Sequence, residues 1–488
     1  MLFIILNVDL MQNRNSEEYE LVILGNGAAA FAAAIKADEL GKKTAMIKGG
    51  TIGGTCVNVG CVPSKRLLVS GEVIRNTRNH NLGENAIAQH DEEFDFAKIM
   101  EFKKKIVENL RYEKYENVLS KLKNVELYEG MAGFISEKEV EIRHNGKNTV
   151  ISGEKIIIAT GASPSIPKLQ GIDSIDYWTN IEGLEQEKVP ESLIVIGGRA
   201  LGLEFAQMYN RFGTKVTLLQ RSPSLIPEEE PEMANALKSY LEEDGIAIHT
   251  AVDLKSFEKN AKNNQVIVNA EVNGKQVMFE ASSILFATGR APNTKSLNVE
   301  NAKIKLGTKG EIMTDSEMKT NNPNIFAAGD VTGEPMLESL AAREGTHAAE
   351  NALSDFHKKI DKGIVPKVIF TDPQFASVGI TEREVIERFK ACTCRLVKFT
   401  DVPKAIIMGD TRGMIKMVAH PETHVISGVQ ILSPMAAEII HEAVMILKNR
   451  YRIEDVIDTI HVFPTMSESL KIVAQSFFRN IKDTSCCI

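Results

Sequence analysis

Apolar runs and turn residues alternate along this chain in a strand-helix-strand rhythm that occurs twice. From Tyr19 to Gly25 the residues are almost all apolar and β-prone, and an Ala-rich helical stretch from Asn26 to about Leu40 follows at once. A second apolar run, Lys43 to Lys48, lies where a returning parallel strand would, so the spacing predicts a βαβ unit. The pattern recurs as a strand from Ser192 to Gly197, a helix to about Phe212 and a strand from Lys215 to Leu219. Ile156 to Gly161 and Ile284 to Gly289 are matching strand-and-turn signals, each soon followed by proline (Pro164, Pro292), and they read as the chain leaving one domain and returning to it. A Lys- and Glu-rich helical stretch from about Phe94 to Leu122 interrupts the first unit, and the acidic run Glu228 to Glu232 reads as a solvated loop. From about Pro366 the pattern changes to alternating strands, two helical stretches (Ala436 to Asn449, Ile453 to Ile460) and a polar tail, which predicts a third domain of α+β type.

A length of 488 residues gives room for roughly three ordinary domains and excludes a disulfide-stapled miniprotein. Hydrophobic residues make up 43% and charged residues 25%, and 57 basic against 65 acidic side chains leave a net charge of −8. Nucleic acid is therefore not an expected partner. The apolar opening Met1 to Val8 is too short for a membrane helix and has no basic residue ahead of it as a signal peptide would. No membrane insertion is expected, and the expected location is cytoplasmic. Six cysteines in such a reducing compartment should not be structural disulfides. They fall in three pairs: Cys56 with Cys61, Cys392 with Cys394, and Cys486 with Cys487.

Gly25, Gly27 and Ala30 stand as Gly-x-Gly-x-x-Ala between a strand and a helix, where glycines permit a tight turn and let a pyrophosphate approach the helix N-terminus. The acidic residue expected at the end of the second strand, to hold a ribose hydroxyl, is replaced by Lys48. In the second unit Gly197 and Gly202 frame Arg199, which takes the place of the middle glycine. Past its second strand stand Gln220 and Arg221, and a cation there suits a 2′-phosphate, which favours NADPH over NADH. These units read as two Rossmann-like dinucleotide-binding domains. The sharpest local feature runs from Gly53 to Lys65: Cys56 and Cys61, five apart at the start of a helix, can close a small disulfide ring, and the helix N-terminus would favour a thiolate. Cys392-x-Cys394 has no evident ligand set around it and reads as structural or incidental.

The stretch Gly53 to Lys65, together with Ala159-Thr160-Gly161, Ala287-Thr288-Gly289 and the run Asn324 to Asp330, closely resembles the FAD-dependent pyridine nucleotide-disulfide oxidoreductases, over nearly the whole chain from Glu18. The resemblance implies a glutathione-reductase-like fold. Residues 18–152 and 283–355 would make the FAD-binding domain, 153–282 the NAD(P)H-binding domain, and 366–488 an interface domain forming an obligate homodimer with an active site shared between subunits. It also implies that Cys61 faces the flavin and Cys56 is the outer, interchange thiol. Gly54, Thr55, Thr160, Gly161, Asp330 and Gly289 would line the cofactor sites, and Lys65 would pair with Glu204 beside the flavin.

Disulfide-reducing members carry a His-Pro-Thr near the C-terminus as proton donor, oriented by a following Glu. Here Phe463-Pro464-Thr465 keeps Glu468 but puts a phenyl ring, which cannot move a proton, in place of the histidine, and His461 lies two residues too early. The adjacent thiols Cys486 and Cys487 suit a soft metal ion that accepts few ligands. The mercuric reductases share that vicinal pair, the Cys-Val-Pro-Ser-Lys form of the redox motif and a Lys-Tyr-Glu matched by Lys114-Tyr115-Glu116. This branch generally has a tyrosine where Phe463 stands, so Tyr115 alone is carried over. The resemblance thus implies NADPH-dependent reduction of Hg(II), taken from small-thiol complexes, with Cys56, Cys61, Cys486 and Cys487 as the metal's ligands. Two other readings compete: a thioredoxin-reductase-like or dihydrolipoamide-dehydrogenase-like disulfide reductase, against which Phe463 argues, and a thiol protein that only sequesters heavy metal.

Overall fold

The computed structural model describes residues 17–78 and 94–483, and its contacts divide the chain into two units. The first takes the chain up to Val62, then Lys104–Ser165 and Arg290–Ile360. Its sheet has parallel strands Val125–Glu129, Thr44–Lys48, Glu17–Leu24 and Lys147–Ile158 side by side, with Ile325–Ala327 also paired to the last and two antiparallel strands continuing the row. Helix Ala28–Glu39 covers this sheet, burying Ala29, Ala30, Phe31, Ala33, Ala34 and Ala37, and it packs against helix Glu338–Leu353. Small side chains permit that approach: a Cβ on Gly345 would stand 2.1 Å from the carbonyl oxygen of Ala29.

The second unit holds Pro63–Lys103, Ile166–Gly289 and the chain from Asp361 on. A parallel sheet of Ala247–His249, Lys215–Leu219, Ser192–Ile196 and Ser283–Phe286 carries helix Ala200–Arg211, with a three-stranded antiparallel sheet over residues 252–281. A five-stranded antiparallel sheet follows, in the order Lys367–Ile369, Gln374–Gly379, Ile426–Ser433, Met414–Ala419, Thr393–Lys398. One core cluster joins Leu193, Phe205 and Tyr209 of the parallel part to Phe375 and Leu432 of the antiparallel part. Gly202 is fixed by packing, because a Cβ there would stand 1.8 Å from the Gly197 carbonyl oxygen.

Two expectations are corrected. The segment read as a polar tail contains helix Glu468–Gln475, whose Leu470, Val473 and Ala474 join the core. The acidic run is not a solvated loop throughout: Glu230 is 3% exposed, because its carboxylate accepts a hydrogen bond from the buried Lys416 ammonium at 2.9 Å.

Candidate functional site

The loop bearing Cys56 and Cys61 follows the second strand of the first unit. Gly53 at φ +90° and Gly54 at φ +66° turn it through the left-handed region that glycine tolerates. Helix Gly54–Val59 carries Cys56, Gly60 interrupts it, and Cys61 opens helix Cys61–Arg78. The interruption needs glycine, since a Cβ on Gly60 would lie 3.1 Å from the Cα of Cys56. Asn58 stitches the loop, donating to the carbonyls of Ile52 and Gly54 at 2.8 Å and accepting from Arg111 at 3.1 Å. The two sulfurs are not joined in a disulfide, with Cys56 half-buried and Cys61 exposed. Their sulfurs and a carboxylate oxygen of Glu338 all lie within 4.8 Å of one another.

Glu338 is one residue that sequence reasoning missed, and Arg290 is another. Glu338 opens helix Glu338–Leu353, where Cys56 Sγ donates to its Oε2 at 2.6 Å and Tyr115 Oη to its Oε1 at 3.3 Å. Tyr115 sits in the π-helical turn Tyr112–Glu116, edge-on to Phe31 with ring centroids 4.9 Å apart. A thiolate is expected in this pair without assignment to either sulfur; at Cys56 the hydrogen bond with Cys61, burial and the Glu338 carboxylate together push the thiol well up. A helix terminus contributes up to about 1 kcal/mol at such a surface, less than an adjacent carboxylate opposing it. Burial, and then the charge of Glu338, pushes the Tyr115 phenol up as well.

The first nucleotide cradle is thin backbone. Gly25 has φ +136°, and a Cβ there would stand 2.1 Å from the carbonyl oxygen of Ala159; Ala30 is fully buried behind it. Gly27 is the N-cap of helix Ala28–Glu39 and caps it with no side chain. A Cβ on Gly54 would stand 2.7 Å from the Gly27 Cα. Thr160 Oγ1 donates to the Asn293 carbonyl and the Asn293 amide donates back to the Thr160 carbonyl, 2.9 Å each, with Gly161 at φ +68°. Arg290 donates to the Ala162 carbonyl and, at 3.4 Å, to Thr55 Oγ1. Its Nε is buried without a hydrogen-bond partner, 3.7 Å from Asp330 Oδ2. Burial raises the Asp330 carboxyl above its ordinary range, more than Arg290 lowers it. Uncapped helix amides, a side-chain-free turn and an orphaned guanidinium N–H fit the pyrophosphate of FAD. Lys48 is occupied by Glu129 at 2.6 Å.

In the second unit Gly197 has φ +116°, and a Cβ there would stand 2.4 Å from the Ala287 carbonyl oxygen. Arg199 is the N-cap of helix Ala200–Arg211 in extended backbone at φ −109°, so a side chain is accommodated where the fingerprint has glycine; it pairs with Glu228 at 3.3 Å. Buried Gln220 accepts from the Gly198 N–H at 3.0 Å, while Arg221 is exposed beyond it and Gly289 turns at φ +106°. The uncapped N-terminus and the exposed cation fit NADPH.

Lys65 Nζ meets Glu204 Oε2 at 2.6 Å and lies over the Phe370 ring, and Glu204 Oε1 accepts the Phe370 N–H at 3.0 Å. Glu468 is buried, accepting from the Thr465 N–H at 3.3 Å. Phe463 is exposed, whereas His461 is bound to Glu442 at 2.8 Å, a hydrogen bond that raises its pKa. Cys486 and Cys487 lie outside the described residues. The reading of Cys392 and Cys394 as lacking a ligand set is corrected: their sulfurs and a Glu382 oxygen lie within 4.8 Å of one another.

Residues 19–345 match the family described as pyridine nucleotide-disulphide oxidoreductase, and 365–474 match its dimerisation domain. The chain is 39% identical over 475 residues to the mercuric reductase of Staphylococcus aureus, covering 97% of this chain and 85% of that one. It is 36% identical to that of Streptomyces lividans, covering 96% and 98%. Among solved structures, the Cu(II) complex of the HOCl-induced flavoprotein disulfide reductase RclA from Escherichia coli superposes with a TM-score of 0.84 at 27% identity, covering 94% of this chain and 99% of that one.

Proposed function

This chain belongs to the pyridine nucleotide-disulphide oxidoreductases, within the mercuric reductases, and from that premise we propose that it reduces thiol-bound Hg(II) to elemental mercury with NADPH. The observation that carries the reading is the closeness of the Cys56 and Cys61 thiols, unbridged and with sulfurs within 4.8 Å of each other. Two thiolates satisfy a soft cation that accepts few ligands, and thiolate-for-thiolate exchange never leaves it bare. The overall change is Hg(SR)2 + NADPH + H+ → Hg + NADP+ + 2 RSH. Bound FAD supplies the two-electron coupling between NADPH and metal.

The chain's own residues do the positioning. The Gly53–Gly54 turn and Asn58 hold Cys56 toward Cys61, and Glu338 accepts the Cys56 proton's hydrogen bond until the metal displaces that proton. Lys65, held by Glu204, is assigned to the flavin's side, Arg290 and Asp330 to its ribityl and phosphate contacts, and Arg221 to the 2′-phosphate. The dimerisation domain makes the protein a homodimer. Ile460 at 93% exposure, with exposed Val462 and Phe463 beside it, is an apolar edge suited to that contact. We assign Cys486 and Cys487 of one subunit to deliver Hg(II) from small thiols to Cys56 and Cys61 of the other. No helix among the described residues is long and apolar enough to cross a membrane, and we place the reaction in the cytoplasm.

The test is NADPH oxidation by the purified protein with Hg(II) in excess small thiol, following mercury vapour, for wild type, Cys56→Ala and the double variant Cys486→Ala/Cys487→Ala. Mercury-dependent oxidation with vapour release, lost in Cys56→Ala and sharply reduced in the tail variant, is expected. Turnover of a protein disulfide without vapour release would refute the reading.

A further inference from the structure

Away from the Cys56 loop, the last strand of the antiparallel sheet, Thr393–Lys398, pairs among the described residues on one side, with Met414–Ala419. Side chains two apart along a strand share a face, so Cys394 stands on the same face as Lys416, whose pairing partner is Leu396. Lys416 is 2% exposed and binds three carboxylates: Glu382 at 2.7 Å, Glu230 at 2.9 Å and Glu232 at 3.0 Å. Three negative charges against one positive leave a local surplus of anion. The same carboxylates line a cleft of about 560 Å³.

Glu382 is the hinge of this arrangement. It is the first residue of helix Glu382–Phe389, which Thr381 caps through a reciprocal hydrogen-bond pair with Glu384. Its backbone N–H donates to Glu230 at 2.6 Å, so the residue is fixed from the backbone as well. One carboxylate oxygen is taken by Lys416, and the other accepts the Cys394 thiol at 3.0 Å. Cys392 completes the group, all three ligand atoms within 4.8 Å of one another, and both cysteines are half-buried, free thiols. Two sulfurs and a held oxygen in a negative field make a mixed soft-donor set.

We propose that Cys392, Cys394 and Glu382 form a second cation site, for a soft divalent ion of the Cd(II) or Hg(II) class, separate from the Cys56–Cys61 pair. Binding is M(II) + 2 RSH → M(SR)2 + 2 H+: two S–H bonds break, two S–M bonds form, and nothing is oxidised. Glu382 keeps its bond to Lys416 and turns its second oxygen from a thiol proton to the metal.

The test uses the full-length, flavin-loaded protein with Cys56, Cys61, Cys486 and Cys487 all changed to Ser, which leaves Cys392 and Cys394 as the remaining cysteines. Cd(II) is titrated in and followed by thiolate-to-metal absorption and by equilibrium dialysis against a chelator. One Cd(II) per subunit is expected, with the sulfur-to-metal band, and both are lost when Cys392→Ser/Cys394→Ser is added. Glu382→Gln should weaken binding about ten- to a hundred-fold while keeping the band. In the wild-type protein, Cd(II) should protect both cysteines from alkylation, a readout that requires no variant to fold. Absence of the band, unchanged binding in the double serine variant, or alkylation indifferent to Cd(II) would overturn the site. None of these readouts depends on mercury reduction.

Discussion

Glu338→Gln isolates the carboxylate beside the outer thiol. In the native arrangement Cys56 donates to Glu338 Oε2 at 2.6 Å, which stabilises the protonated thiol and opposes a negative charge on sulfur. A hydrogen bond to a charged partner contributes about 1.5–3 kcal/mol, and one pKa unit corresponds to about 1.4 kcal/mol. Full removal would therefore lower the Cys56 pKa by about one to two units. Glu338 is exposed, so solvent screening argues for the lower end, about one unit. Cys61 and burial still act on Cys56, so its pKa remains above that of a free cysteine. At neutral pH, where Cys56 is mostly protonated, the thiolate fraction should rise about tenfold. The assay is the alkylation rate of the reduced enzyme by iodoacetamide, resolved by peptide mass spectrometry to the Cys56 position. High salt should raise the wild-type rate toward that of the variant, and Glu338→Asp, which keeps the charge on a shorter arm, should fall between. A Cys56 rate unchanged or slowed in Glu338→Gln would refute the reasoning, because no route by which the carboxylate suppresses the thiolate predicts it.

Lys65→Met would strip the Glu204 carboxylate, 4% exposed, of its cation and leave it the Phe370 N–H, a loss of about 3 kcal/mol given that Lys65 is itself partly solvated. The urea midpoint should fall accordingly, and adding Glu204→Gln should restore much of it; a neutral result in Lys65→Met would dismiss the pair as structural support. Burial pushes the Asp372 carboxyl up, but Arg412 and Arg211 outweigh it and hold it below the ordinary range. That contribution is present above the unfolded value of about 3.9 and is lost as pH falls through the lower, folded value. Asp372→Asn should therefore reduce stability at neutral pH and flatten the acid limb of the midpoint-against-pH curve. Arg221→Asp should lower the kcat/KM preference for NADPH over NADH at least about tenfold, the loss of one charged hydrogen bond, and equal use of both nucleotides by wild type would remove Arg221 from its assigned role.

Patterns carried by neighbouring residues were legible and those carried across the chain were not. The apolar runs and helical signal of Ser192 to Leu219 place strands at Ser192–Ile196 and Lys215–Leu219 because burial on both faces of a parallel sheet writes continuous apolar runs into the sequence. The partnership of Glu338 with Cys56 spans 282 positions, and it exists because helices Ala28–Glu39 and Glu338–Leu353 cross closely at Gly345. The alternation of Ala341, Gly345 and Ala348 could have announced a close helix contact, but a small-residue pattern does not say which loop the helix's first residue meets. The same distance hid Lys416 from Glu230, 186 positions apart, and turned an acidic run read as solvated into the wall of a buried ion cluster. The state of the Cys56 thiol was hidden for a related reason. A helix-terminus argument is local and weak, whereas the hydrogen bond with Cys61 and burial oppose it first, and a carboxylate arriving from a distant segment adds to them in direct contact. Charge-based readings of a sequence are therefore safest where no second charge can reach the site, and a thiol beside a helix head is the place where one can.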